Sequence, residues 1–241
     1  MSEDLKKAAA EYALDFVHQG MVVGLGTGST ADHFIRGLAA RQAQGLAVAT
    51  VATSRRSAAL AKECGLQLLE LGDLERVPVT VDGADEVDGN LSLIKGGGGA
   101  LLWEKIVAQA SDFHVTVVDA AKCVDTLGTF PLPVEVVRFA VGRTVRTLPA
   151  HLAPALGHTP KAVLRLGADG APFVTDEGHA IVDVACGAIG NPSAVADVLS
   201  GLATVVDHGL FIGLTDRVVI ATPSGIEVAA PPLDRLRHAP S

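Results

Sequence analysis

Two carboxylates three residues apart, Asp82 and Asp85, stand in "VTVDGADEVDGN", just past the end of an apolar run that reads as a strand. Acids at such a place can share proton transfers on a sugar, because ligands of open α/β sheets bind beyond the carboxyl ends of the strands. The Asp-Gly pairs at 82–83 and 88–89 are also ordinary turn chemistry, and a plain hairpin would explain them equally. Further on, "IKGGGGALLWEKIVAQA" sets Lys95 ahead of four consecutive glycines and Glu104 in an early turn of the helix that follows. A flexible linker would continue polar; here an apolar helix begins at once, so Gly96, Gly97 and Gly98 read as a loop where bare backbone approaches a ligand closely. Positions three and four away from Glu104 are Ala100, Leu101, Val107 and Ala108, none of them charged. A carboxylate on such a face is either a surface acid complementing the helix dipole or, if covered, a general base whose desolvation suits it to accept protons near neutrality.

A third group lies in "VVGLGTGST", residues 22–30, a strand that stops at a glycine-rich turn and opens a helix. Gly24, Gly26 and Gly28 fall at every second position, so the dinucleotide pattern GxGxxG fails where Ser29 takes its last place. The next strand ends "VATSRRS" without the acid that would take ribose hydroxyls, although arginines there could meet a 2′-phosphate. What remains is a donor set for an anion or a polyol: the hydroxyls of Thr27, Ser29 and Thr30 with backbone N–H groups from Gly28 onward. The plainer alternative is a strand-to-helix turn with Ser29 or Thr30 as N-cap. Lys122, in "VVDAAKCVDTLG", follows another strand end and is a candidate phosphate contact, where a lone lysine is otherwise simply solvated.

These residues need a sheet to hold them. Helices are expected at about 3–18, 29–44, 55–64 and 100–110, and strands at 21–25, 46–52, 67–71, 77–81 and 113–118. That alternation is the signature of a parallel α/β sheet. The rhythm changes at "FPLPVEVV", residues 130–137, after which come a helix near 140–155, a strand near 161–166, and two strand-like runs about a turn at Asp176 to Gly178. From Val205 the apolar strands "VVDHGLF" and "RVVIATPSGIEVA" are expected to rejoin the first sheet. The expected organisation is therefore a Rossmann-like α/β catalytic domain of residues 1–129 and 205–241, interrupted by a smaller α+β domain of residues 130–204.

Composition narrows the partners. With 19 Lys+Arg against 27 Asp+Glu, the net charge of −8 offers no basic field for nucleic acid or anionic lipid. A small phosphate ester remains compatible, because a few N–H groups and lysines at a site outweigh a diffuse, screened charge. Cys64, Cys123 and Cys186 are far apart and odd in number, which argues against a disulfide framework or zinc site and for a reducing cytoplasm. The eight histidines show no metal-ligand spacing, and no signal peptide or membrane span is expected.

Together the blocks "LKKAAAEYAL", "VGLGTGST", "TVDGADEVD", "IKGGGGALLWEKI", "VVDAAKCVDTLG", "FPLPVEVV", "HGLF" and "IATPSGIEV" resemble the type A ribose-5-phosphate isomerase family. The resemblance implies a Rossmann-like domain with an inserted α+β domain, and a homo-oligomer, dimer or tetramer, that uses neither cofactor nor metal. It implies isomerisation of D-ribose 5-phosphate and D-ribulose 5-phosphate through an enediolate, in the non-oxidative pentose phosphate pathway. It puts the substrate loop on Thr27, Gly28, Ser29 and Thr30, the acidic turn on Asp82, Gly83, Ala84 and Asp85, and the glycine loop on Lys95, Gly96, Gly97 and Gly98. Glu104 becomes the catalytic base, with Lys122 and Lys6 at positions that contact substrate phosphate. Leu102 with Trp103, Arg138 and His179 depart from the family pattern. Two rivals are a non-catalytic sugar-phosphate sensor, which lacks any helix-turn-helix extension here, and an NADP-dependent oxidoreductase, which the broken glycine fingerprint disfavours.

Overall fold

Short apolar runs such as "VVGL" and "HVTVVD" have little polar alternation, as strands covered on both faces require. The computed structural model describes residues 3–230. In chain order its elements are α1 (Glu3–Ala13), β1 (Val22–Leu25), α2 (Ser29–Ala43), β2 (Ala49–Ala52), α3 (Arg55–Glu63), β3 (Val79–Gly83), β4 (Glu86–Val87) and β5 (Leu93–Ile94). There follow α4 (Leu101–Gln109), β6 (His114–Asp119), β7 (Leu132–Val136), α5 (Val141–Leu156), β8 (Lys161–Leu164), β9 (Ala180–Ala185), α6 (Pro192–Ser200), β10 (Val205–His208), β11 (Leu210–Phe211), β12 (Arg217–Thr222) and β13 (Gly225–Ala229).

The described residues divide into two compact units, 3–84, 103–123 and 213–230 in one and 85–102 with 124–212 in the other. In the first, a six-stranded sheet runs β13-β12-β6-β3-β1-β2. All its pairs are parallel except β12 with β13, a hairpin that closes one edge. Val23, Leu25, Val79, Val81, Val115 and Val117 form its core with Phe34, Ile35 and Leu38 of α2 and Ala9, Ala10 and Ala13 of α1. Because β1 pairs with β2 on one side and β3 on the other, the strand order reverses at β1. The carboxyl ends of β1 and β3 are thus where such a sheet offers a ligand crevice.

The second unit holds an antiparallel sheet, β10-β7-β9-β8, and a short one, β11-β5-β4. Leu132, Val134 and Val136 of β7 pack with Val182 and Val184 of β9, Leu148 and Leu152 of α5 and Val195 and Leu199 of α6. This division differs from the expected one in three places, the smallest being that residues 124–129, ahead of β7, go with the second unit. Residues 85–102 go with the second unit because β4 pairs with β5 and β5 with β11, not with the large sheet. "VVDHGLF" does not rejoin the first sheet: it breaks at Gly209, β10 pairing with β7 and β11 with β5. Gly209 sits where a Cβ would lie 2.2 Å from the Lys95 carbonyl oxygen, so the chain passes between two backbones there.

Smaller differences are local. The expected strand at 67–71 is one bridge, Thr50 to Leu68, followed by a 3-10 turn at Leu71–Asp73. Helix α1 tightens after Ala13 into a 3-10 turn, Leu14–Phe16. Helix α6 was not expected, although its signal was present: Asn191 caps it, accepting from Ala194 N–H at 3.1 Å, and Pro192 opens it.

Candidate active site

In the first unit the glycines of 24–28 serve different ends. A Cβ on Gly24 would stand 1.9 Å from Thr80 Oγ1, and one on Gly26 would stand 2.2 Å from Asp82 Oδ1, so both let β1 approach β3. Gly28 is the N-cap of α2, at φ 115°, with no side-chain cap. Neither Ser29 nor Thr30 caps the helix, which removes the plainer alternative of a capped turn, because the chain enters through a conformation that glycine adopts readily. The first N–H groups of a four-turn helix are left without that side-chain partner, next to exposed Ser29 and half-buried Thr30.

Thr27 works inward. Its Oγ1 lies 2.9 Å from Thr53 Oγ1, 2.8 Å from Ser54 Oγ and 3.0 Å from Ser57 Oγ, and Ser57 Oγ donates to the Gly26 carbonyl at 2.7 Å. This hydroxyl cluster corrects the reading of Thr27 Oγ1 as a ligand donor: it is spent on building the loop. The three partners belong to "ATSRRS", a stretch whose sequence draws attention to its missing acid and its arginines, not to its hydroxyls. Asp82, buried at the end of β3, accepts from Thr27 N–H at 3.0 Å and Gly83 N–H at 2.7 Å, so one carboxylate oxygen ties both loops. Ala84 follows, half-buried.

Lys6 and Lys122 belong to the same unit. Glu3 takes Lys6 Nζ at 3.5 Å and His33 Nε2 at 2.7 Å, which holds Lys6 near the first turns of α2. Lys122 ends a 3-10 turn after β6, capped by Asp119, which accepts from Ala121 N–H at 2.7 Å. Glu104 lies in the first turn of α4 and is 5 % exposed. Ala100, Leu101, Val107 and Ala108 are buried too, which excludes the surface-acid reading. Trp103, one of the departures, lines a cavity of about 380 Å³ with Arg55, Lys62 and Ile106, none of them a candidate.

In the second unit, Asp85 and the glycine loop meet. Asp85 Oδ2 accepts from Gly97 N–H at 2.7 Å, and a Cβ on Gly97 would lie 2.6 Å from Asp85 Oδ1. Gly96 has φ 97° and is buried, whereas Gly97 and Gly98 are exposed. Lys95 is 2 % exposed, its N–H donating to the Gly209 carbonyl at 2.8 Å and its Nζ 5.5 Å above the Phe211 ring. Buried Glu86, unremarked in the sequence, accepts from the N–H groups of Gly128, at 2.6 Å, and Phe130. Of the other departures, Arg138 is exposed and His179 donates toward Glu135, as described below.

The sequence model of the family described as ribose 5-phosphate isomerase A (phosphoriboisomerase A) matches residues 49–225. A relative named ribose-5-phosphate isomerase A from Parvibaculum lavamentivorans is 48 % identical over 94 % of this chain and 98 % of its own. One of the same name from Brucella suis biovar 1 is 51 % identical over 92 % and 95 %. Among solved structures, ribose 5-phosphate isomerase A from Methanocaldococcus jannaschii superposes with a TM-score of 0.87 at 38 % identity, covering 95 % of this chain and all of that one. A D-ribose-5-phosphate isomerase in complex with phospho-erythronic acid superposes at 0.88, with 35 % identity over 95 % of this chain and 98 % of the other.

Proposed function

This chain belongs to the ribose 5-phosphate isomerase A family, and we propose that Glu104 is the base with which it isomerises its substrate. The chain is an aldose–ketose isomerase acting on D-ribose 5-phosphate and D-ribulose 5-phosphate. The observation that carries Glu104 is its burial, at 5 % exposure, on a helix face whose positions three and four away are all apolar. On the open-chain aldose, the Glu104 carboxylate takes the C2 proton, leaving an enediolate. The same carboxyl returns that proton to C1 while a hydroxyl proton moves from O2 to O1, so the ketose forms with no net change in atoms or oxidation level.

Lys95 and N–H groups of the glycine loop are read as stabilising the oxyanion as it develops, the Gly97 N–H being engaged by Asp85. Asp82 and Asp85, each fixed by loop N–H groups, are read as handling hydroxyl protons and ring opening. Gly28, Ser29 and Thr30 with Lys122 and Lys6 take the phosphate, where an open helix start and two cations suit a dianion. The phosphorylated sugar acid held by one structural relative supports a ligand of that chemistry. The family resemblance supports a homo-oligomer, and three free thiols support a reducing cytoplasm.

The test is Glu104→Gln, followed by exchange of the C2 hydrogen with solvent deuterium and calorimetric binding of a phosphorylated inhibitor. Loss of a sole shuttle should lower exchange by about 10⁴-fold, the upper end for general acid–base catalysis, with binding retained. Near-normal exchange would remove Glu104 from the role and return it to Asp82, Asp85 or Lys95.

A further inference from the structure

The glycine loop is held from behind by a residue that neither its own sequence nor the family motif points to. Arg165, just past β8, donates through Nη1 to the carbonyl of Gly96 at 2.8 Å and to that of Gly97 at 3.1 Å. The guanidinium is itself fixed. Its Nε donates to Asp183 Oδ2 at 2.9 Å and its Nη2 to Asp183 Oδ1, a two-point pair with a residue of β9. Its central carbon lies 5.9 Å from the centre of the Phe173 ring. That ring in turn closes on Gly99, where a Cβ would stand 2.3 Å from Phe173 Cζ, and Gly99 is at φ 85°.

Peptide planarity turns these contacts into an orientation. In a trans peptide the C=O and the following N–H point in opposite directions. With the Gly96 carbonyl on Arg165, the Gly97 N–H of the same plane is directed the other way, and there it meets Asp85 Oδ2 at 2.7 Å. With the Gly97 carbonyl also on Arg165, the Gly98 N–H is likewise turned away from the guanidinium, at an exposed position. One cation therefore sets two successive peptide planes of a segment whose glycines have the widest conformational freedom of any residue. A hydrogen bond from a charged donor also polarises each peptide, making its opposite N–H a stronger donor.

We propose that Arg165, held by Asp183, is a positioning residue for the isomerisation: it fixes the Gly96–Gly97 and Gly97–Gly98 peptides so that the Gly97 N–H holds Asp85 in place and the Gly98 N–H is presented to the reacting oxygens. The inference rests on the reading of the glycine loop as part of the catalytic machinery. Preorganised donors act mainly on the transition state, so the loss should fall on kcat and not on KM.

The test uses the full chain with Arg165→Met, Arg165→Lys, Asp183→Asn and Arg165→Met/Asp183→Asn, each checked by circular dichroism and thermal melting. Arg165→Met should lower kcat by about 10–100-fold, less than the roughly 10²–10³-fold of deleting an oxyanion donor outright, with KM within about three-fold. Arg165→Lys, which keeps a charge but loses the planar fork, should recover part of that loss. Asp183→Asn should cost less than Arg165→Met, and the double variant no more than Arg165→Met, because Asp183 acts through Arg165. Amide hydrogen exchange at 97–98 should quicken in Arg165→Met while that of β9 is unchanged, a readout independent of turnover. A folded Arg165→Met or Asp183→Asn enzyme with unaltered kcat and unaltered loop exchange overturns the proposal, as does additive loss in the double variant. If Arg165→Met does not fold, the Asp183→Asn result decides. Lys95→Met separates the two readings: collapse of turnover there with an intact Arg165→Met enzyme defeats only the positioning role, whereas unimpaired Lys95→Met turnover defeats the catalytic reading of the loop itself.

Discussion

Gly26 packs its bare Cα against Asp82: a Cβ there would lie 2.2 Å from Asp82 Oδ1 and 2.5 Å from Asp82 Cα. One of the contacts belongs to backbone, so the clash is not relieved by rotating a side chain. Gly26→Ala should force β1 from β3 or swing the carboxylate off the Thr27 N–H, costing about 1–3 kcal/mol of stability as overpacking does. A shift of about 1 Å in a reacting group is worth roughly 10²-fold in rate, so turnover should fall by that order. Gly28→Ala makes the contrast, since a Cβ there meets nothing within 4 Å and only the φ of 115° opposes it. Denaturant unfolding and steady-state assays measure both; an Asp82 role independent of the loop predicts normal kcat in Gly26→Ala.

Lys122→Ala should weaken substrate binding and spare chemistry. A phosphate contact persists from ground state to transition state, and such uniform binding is expressed in KM. Lys6→Ala should act in the same direction and more mildly, its side chain being shared with Glu3. Initial rates across ribose 5-phosphate concentrations decide, and a collapse of kcat at constant KM would move the lysine into the chemistry.

Glu135 should make stability depend on pH. It is 1 % exposed, and its Oε1 accepts from Thr175 Oγ1 at 2.8 Å and His179 Nδ1 at 2.9 Å. Burial, above all, raises its pKa from the usual 4.5, Asp207 on the neighbouring strand adds to the rise, and Thr175 and His179 oppose it. The folded state then binds the proton more tightly than the unfolded chain. Its contribution is full below the ordinary value and is lost as pH rises through the raised one. The melting temperature of the parent minus that of Glu135→Gln should therefore be greatest in acid and shrink toward neutrality. Measuring both in a His179→Asn background removes the imidazole's own titration, and a difference that is flat or grows with pH would contradict the raised pKa.

Cys186 should resist alkylation. It is wholly buried, and desolvation pushes its thiol up to about 12, so almost no thiolate is present near neutrality. Iodoacetamide at mild alkaline pH followed by mass spectrometry should leave Cys186 unmodified until the protein is unfolded. Labelling of Cys186 in the folded enzyme would show that the second unit opens locally.

Element types and candidate residues were legible because they depend on neighbours in the chain. The apolar run and glycines of 22–30, the uncharged positions around Glu104 and the Asp-Gly turns are patterns of a few residues, and periodicity reports them directly. Partnership was not legible. Nothing within "VVDHGLF" says that its halves pair with β7 and β5, since an apolar strand serves any sheet, and only Gly209 between the Lys95 carbonyl and Pro133 marks the break. The hydroxyl of Thr27 looked like a ligand donor in isolation, yet it meets hydroxyls 26, 27 and 30 positions away. Arg165 shows the same limit most plainly: 69 positions separate it from Gly96, and its place behind the glycine loop follows from the register of β8 on β9. The sequence by itself determined which residues are candidates for chemistry, because local pattern and side-chain type suffice for that. Tertiary structure alone decided which polar groups are consumed in building the loops and which are turned outward, because each peptide plane and each hydroxyl is oriented by partners distant in the chain.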